Sequence, residues 1–182
     1  MIDDALNELL EKNNIETKVF IISELGENNK ERSLKFSDYV LKELLSYDID
    51  YCFSFGSHLL VGELLEKFKY RIINFHPSVL PMFPGLKSID QAVLHNNTLL
   101  VGNTAHFIDS GVDTGPIIMQ SVIPIKAFTD TYDYDIVLDL QLEMLEKMIY
   151  ILDNNMLIIN DDKVIITGAD YYKSVVFPEI VI

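Results

Sequence analysis

Asn74, His76 and Ser78 follow one another at i, i+2 and i+4. At the end of a strand this spacing turns side chains to one face. An amide donor beside an imidazole that titrates near neutrality suits a carbonyl under attack, whose oxygen gains charge in the transition state. The competing reading is a histidine that only ties down the proline-rich stretch behind it. A carboxylate completes such a set, and the loop IDSGVDTGP offers two, Asp109 and Asp113. Gly111 and Gly115 flank Asp113 and permit tight backbone geometry. A carboxylate held near an imidazole favours its charged form, and the pair could shuttle a proton. Either aspartate taken alone is more often a turn residue. Thr104 and His106 lie at i, i+2 on the segment leading into this loop, where they could orient the aspartate or a bound water. A half-buried strand histidine is the plainer reading of His106.

Other chemistries find little support. His58 and His95 complete the four histidines, and His95, in HNN at a helix end, reads as solvated. No HExxH, cysteine cluster or acidic ligand pair accompanies His76, His106 and Asp113, so no metal is expected. Neither GxxxxGKS/T nor GxGxxG occurs. The lone cysteine, Cys52 in YCFSF, reads as a structural thiol and excludes an intramolecular disulfide, which fits a reducing compartment.

The elements that must position these residues alternate between two periodicities. Ile2, Ala5, Leu6, Leu9 and Leu10 predict a helix over 2–13. KVFIIS (18–23) predicts a strand and ELGENNKER (24–32) a loop. Phe36, Tyr39, Val40, Leu44 and Leu45 mark a second helix, followed by a strand over 49–55, a helix over 59–69 and a strand over 71–75. Pro77, Pro81 and Pro84 forbid regular structure in 76–86, which must be an ordered loop. A helix over 87–96 and strands over 99–108 and 116–125 follow. Val137, Leu140, Met144, Met148, Ile151 and Leu152 stripe a long helix, and MLIIN and KVIIT around Asp161-Asp162 predict a closing hairpin. This alternation predicts a Rossmann-like α/β fold, with a mainly parallel sheet and helices on both faces. Ligands then belong at the C-terminal strand ends, where 74–86 and 109–115 lie.

At 182 residues the chain is sized for one domain, with 49% hydrophobic residues to fill its core. A net charge of -14 disfavours nucleic acid as a partner. No segment approaches the ~20 apolar residues of a membrane span, and MIDDALNELLEKNN is no signal peptide. A cytoplasmic protein is expected.

INFHPSVLPMFPGLKSIDQAV, followed by VGNTAHFIDSGVDTGPIIMQSVIPI, resembles the folate-dependent formyltransferases, and among them most the branch that formylates glycinamide ribonucleotide in purine synthesis. The resemblance is clear over 49–125 and fainter over 126–166. It implies a formyltransferase fold and transfer of formyl from the co-substrate 10-formyltetrahydrofolate to a primary amine. By match to the family's motifs, Asn74, His76 and Asp113 are its catalytic residues, with Thr104, His106 and Ser78 in support. The folate pocket falls on Ser57, His58, Leu59 and Leu60 and on Asp109, Ser110, Gly111 and Val112. Pro77 and Glu146 match positions facing the amine. Against the family pattern, the chain opens directly on a helix where a first strand and a phosphate-holding loop are expected, unless KVFIIS serves as that strand. His58 stands where the purine enzymes carry an arginine. A nucleotide-linked amino sugar is the rival acceptor. Hydrolysis of 10-formyltetrahydrofolate and a non-catalytic remnant are the rival classes.

Overall fold

The computed structural model describes residues 4–20, 28–56, 58–94, 98–124, 134–175 and 177. In chain order these form α1 (Asp4–Lys12), α2 (Asn29–Leu44), β1 (Cys52–Ser54), α3 (Glu63–Lys67), β2 (Ile72–His76) and α4 (Ser88–Leu94). Then come β3 (Leu100–Phe107), β4 (Ile117–Pro124), α5 (Tyr134–Asp153), β5 (Leu157–Asn160) and β6 (Lys163–Ile166). One sheet has the order β1-β2-β3-β4, and β5 and β6 form a separate pair.

The chain divides into two compact units. The first comprises residues 1–75 and 106–115. Its core gathers Leu41 of α2, Leu60, Leu64 of α3, Phe68 and Ile72, with Phe36, Val40, Leu44, Ile49, Cys52 and Ile108 packed against them. β1 and β2 pair in parallel, Cys52 opposite Ile72 and Ser54 opposite Asn74. The Ile108 amide donates to the Ile72 carbonyl at 2.9 Å.

The second unit comprises residues 76–105 and 116–182. β3 and β4 are neighbours in the sheet, and their connection runs only from residue 108 to 116. A parallel crossover needs about a dozen residues or more, so the pair is antiparallel and the sheet is mixed. The expected α/β sheet therefore holds the antiparallel pair β3–β4 beside the parallel pair β1–β2. Two apolar runs read alike in sequence whichever way the chain turns between them. Val137, Met144, Met148 and Ile151 of the expected stripe on α5 are buried, joined by Leu145 and Ile149. Asp161 and Asp162 both take positive φ, 48° and 60°, the pattern of the two-residue turn that closes hairpins.

Several boundaries differ from expectation. α2 begins at Asn29, inside the expected loop 24–32, because the Asn28 side chain accepts from the Glu31 amide at 2.9 Å and caps the helix. A Glu31–Lys35 ion pair one turn apart lies on the same helix. α3 is shorter than 59–69. Gly62, at φ 72°, turns the chain into it, and the chain leaves helical geometry at Phe68. β1 is shorter than 49–55. Of the expected strand KVFIIS, residues 18–20 carry no strand pairing, and 21–23 lie outside the described residues. So do His95 and Ser57.

Candidate active site

The first unit brings together Asn74, His106 and Asp113. Asn74 Nδ2 stands 3.3 Å from His106 Nε2, and Asp113 Oδ1 lies 3.7 Å from the same nitrogen. His106 is 2% exposed, so its ring is held by protein rather than by water. Its Nδ1 lies 2.9 Å from the Phe107 carbonyl oxygen, which can only accept. That contact requires a proton on Nδ1. In the neutral ring Nε2 is then a lone pair facing the Asn74 amide, and in the charged ring it becomes a donor toward Asp113.

Asp113 sits at φ 53°, a left-handed conformation that aspartate tolerates better than most residues. Its rival Asp109 has a different occupation. Asp109 Oδ1 accepts from the Gly111 amide at 3.0 Å and from Thr114 Oγ1 at 2.7 Å, binding the loop into a turn. The flanking glycines serve this turn through space rather than through φ. A Cβ on Gly115 would collide with the Phe107 carbonyl, and one on Gly111 with the Thr114 hydroxyl. Ser110, Gly111 and Val112 are exposed, and Asp109 is half-buried. His58 and Leu59 are exposed and Leu60 is buried, with the His58 ring edge-on to Phe36 at 6.3 Å. Phe55, at the end of β1, stacks on Phe75 at 5.7 Å and remains 44% exposed.

The second unit holds His76, Ser78 and Thr104. His76 is 6% exposed, and its Nε2 lies 3.0 Å from the Phe83 carbonyl oxygen, which fixes a proton on that nitrogen. Ser78 Oγ donates to the Met82 carbonyl at 2.6 Å. Thr104 Oγ1 donates to the Ser78 carbonyl at 2.7 Å and accepts from the Leu80 amide at 3.0 Å. Ser88 Oγ donates to the Pro77 carbonyl at 3.0 Å. The three-proline stretch is therefore an ordered loop, with a cis Leu80–Pro81 bond. Gln120, which sequence reasoning did not single out, donates from Nε2 to the Leu80 carbonyl at 2.8 Å and to Thr104 Oγ1 at 2.9 Å. A glutamine in PIIMQ carries no signal of this by type or spacing. Glu146 lies exposed on α5, lining an apolar groove with Met119, Tyr150, Ile151 and Ile166.

Burial pushes the Cys52 thiol up to about 11, against a lowering pull from Arg71, in keeping with a structural cysteine. Among the described residues, no group of three or more His, Cys, Asp or Glu side chains is placed to hold a metal, and no helix is long and apolar enough to cross a membrane.

Several known proteins are similar to this chain. The phosphoribosylglycinamide formyltransferase of Bacillus subtilis is 36% identical over 96 residues, 52% of this chain and 49% of that enzyme. The human trifunctional purine biosynthetic protein adenosine-3 is 38% identical over 89 residues, 49% of this chain and 8% of that protein. This chain thus spans about half the length of the bacterial relative or less of the human one. The crystal structure of glycinamide ribonucleotide transformylase 1 from Symbiobacterium toebii superposes with a TM-score of 0.60 at 33% identity, covering 72% of this chain and 63% of that one. A formyltetrahydrofolate deformylase from Pseudomonas syringae shares the fold, with a TM-score of 0.68 at 21% identity over 88% of this chain and 52% of that one. With the family model for formyl transferase matching residues 3–149, the chain belongs to the formyl transferase family and has its fold.

Proposed function

We propose that the chain transfers a formyl group from 10-formyltetrahydrofolate to a primary amine, and that the amine is glycinamide ribonucleotide. The observation that carries this reading is the convergence of Asn74, His106 and Asp113 on one buried ring nitrogen, in a chain of the formyl transferase family. The acceptor is drawn from the relatives, which act in purine biosynthesis. We read the chain as one catalytic domain, Rossmann-like in plan and cytoplasmic, acting on small molecules without a metal.

In this reaction the amine attacks the formyl carbon and a carbon–nitrogen bond forms. The carbonyl oxygen takes the electron pair. The Asn74 amide and a charged His76 ring donate to that oxyanion, and each such donor supplies on the order of 3 kcal/mol. Asp113 accepts the proton released by the new ammonium. The oxyanion then re-forms the carbonyl as the bond to N10 of the folate breaks, and N10 leaves with the proton that Asp113 returns. His106 keeps Asp113 and Asn74 in register. Thr104 and Ser78 hold the loop behind His76, and Pro77 and Glu146 face the amine. The folate lies against 58–60 and 109–112. Holding two substrates in line contributes several kcal/mol more, roughly 7–11 in favourable cases.

The test is incubation of the purified protein with 10-formyltetrahydrofolate and either glycinamide ribonucleotide or a nucleotide-linked amino sugar, following tetrahydrofolate release and the formylated product. Turnover with glycinamide ribonucleotide, lost in Asn74→Ala and His76→Ala proteins that still fold, is the expected result. Formate release without amine would mark a hydrolase. No folate turnover with any acceptor would end the enzymatic reading.

A further inference from the structure

Gln120 lies on β4 and belongs to none of the motifs that point to catalysis. Its amide nitrogen has two hydrogens, and both are placed, one on the Leu80 carbonyl at 2.8 Å and one on Thr104 Oγ1 at 2.9 Å. A flipped amide would set its oxygen against the Leu80 carbonyl oxygen, so only this orientation is allowed.

The Thr104 hydroxyl is equally determined. It has one hydrogen and two lone pairs. The hydrogen goes to the Ser78 carbonyl, and the lone pairs receive the Leu80 amide and Gln120. Thr104 is fully buried and Leu80 4% exposed, whereas Gln120 itself is exposed, so it is the polar groups of Thr104 and Leu80 that would cost about 1–3 kcal/mol if left without a partner. Both backbone polar groups of Leu80 and the carbonyl of Ser78 are therefore fixed by two side chains from the neighbouring strands. Downstream, Ser78 Oγ ties Met82 and His76 Nε2 ties Phe83. The Phe83 carbonyl that sets the His76 ring is carried by the very segment that Gln120 and Thr104 hold.

We propose that Gln120 is a positioning residue for His76, acting through Thr104 and the Leu80 peptide. This rests on the role of His76 proposed above. Gln120 does not touch substrate; it keeps the Phe83 carbonyl where the imidazole needs it. A misplacement of about 1 Å at a catalytic group can cost roughly a hundredfold in rate, which sets the scale of the effect.

The test uses Gln120→Met, of similar volume and without donors, Thr104→Val, and the double variant. Two measurements are made on the full chain, kcat and KM for the amine, and hydrogen exchange at the Leu80 amide. Each single variant should lower kcat roughly 10- to 100-fold with KM within about twofold. The double variant should be no worse than the more severe single, because both break one relay. Leu80 exchange should accelerate at least about tenfold in Q120M, and Thr104→Ser, which retains the hydroxyl, should restore both readouts to near wild type. Multiplying losses in the double variant would overturn the proposal, as would unchanged Leu80 exchange in Q120M. If Q120M does not fold, Gln120→Leu, which also lacks donors, takes its place. If the wild-type chain turns over no amine, the function above fails, and the exchange measurement alone decides whether Gln120 holds the loop.

Discussion

Asn74 Nδ2 and His106 Nε2 meet at 3.3 Å, and the Phe107 carbonyl on the far side of the ring decides which of them carries the proton. A carbonyl cannot donate, so His106 Nδ1 must. The neutral ring is therefore the Nδ1–H tautomer, the less common one in water. Nitrogen-15 spectra of histidine-labelled protein should show this tautomer for His106 above its titration. A neutral Nε2–H tautomer would contradict this assignment.

Asp113 and Asp109 share one loop and separate cleanly by mutation. Asp113→Asn keeps the shape and loses the charge. Turnover should fall at least about a hundredfold, the usual worth of a positioned acid or base, with the melting temperature little changed. Asp109→Ala breaks two hydrogen bonds to Gly111 and Thr114, each worth about 0.5–1.5 kcal/mol. It should lower stability and raise the KM for folate, with a smaller loss of kcat. The opposite pattern would make Asp109 the proton acceptor.

The division between these two aspartates was only half legible in the sequence. Period-two spacing brought out Asn74 with His76, and Thr104 with His106, because alternation along a strand follows from backbone geometry. The stripe on α5 and the Asp161-Asp162 hairpin were legible for the same reason, since periodicity and turn chemistry are local. What was not legible depends on partners distant in sequence. Gln120 reads as an ordinary strand residue until the Leu80 carbonyl is beside it. Thr104 reads as a neighbour of the aspartate, yet its hydroxyl is engaged with Ser78 and Leu80. Asn28 reads as loop until it caps α2. Gly111 and Gly115 were expected to permit tight backbone geometry, and they do so by leaving room for atoms of Thr114 and Phe107.

Gly115 makes that last point measurable. A methyl group there would overlap the Phe107 carbonyl, a backbone atom that cannot swing aside. Gly115→Ala should cost about 1–3 kcal/mol, as overpacking does, and lower the melting temperature by roughly 3–10 °C. It should also reduce turnover in the folded fraction, because Asp113 rides on the same turn. Gly56→Ala is the control, with nothing within 4 Å of the added carbon, and should change stability by less than about 0.5 kcal/mol. Equal effects of the two substitutions would mean that the turn yields freely.

Cys52 offers a test of the first unit's core that needs no substrate. Its thiol is pushed up to about 11 by burial. An exposed cysteine ionises near 9, so in the unfolded chain the proton leaves first. Between these values the folded state binds more protons than the unfolded state, and stability falls as pH rises. From pH 7 to 10 the loss from this group alone is roughly 1.4 kcal/mol. Urea titrations at both pH values should show wild-type protein losing about that much more than Cys52→Ala, which has no thiol to ionise. At pH 8 the folded thiol should also react with iodoacetamide on the order of a hundredfold more slowly than the thiol of the urea-unfolded chain, since the thiolate is the nucleophile. Equal pH slopes for wild type and variant, or fast alkylation of the folded protein, would mean that the packing of Leu41, Leu64 and Ile72 around β1 leaves Cys52 open to water.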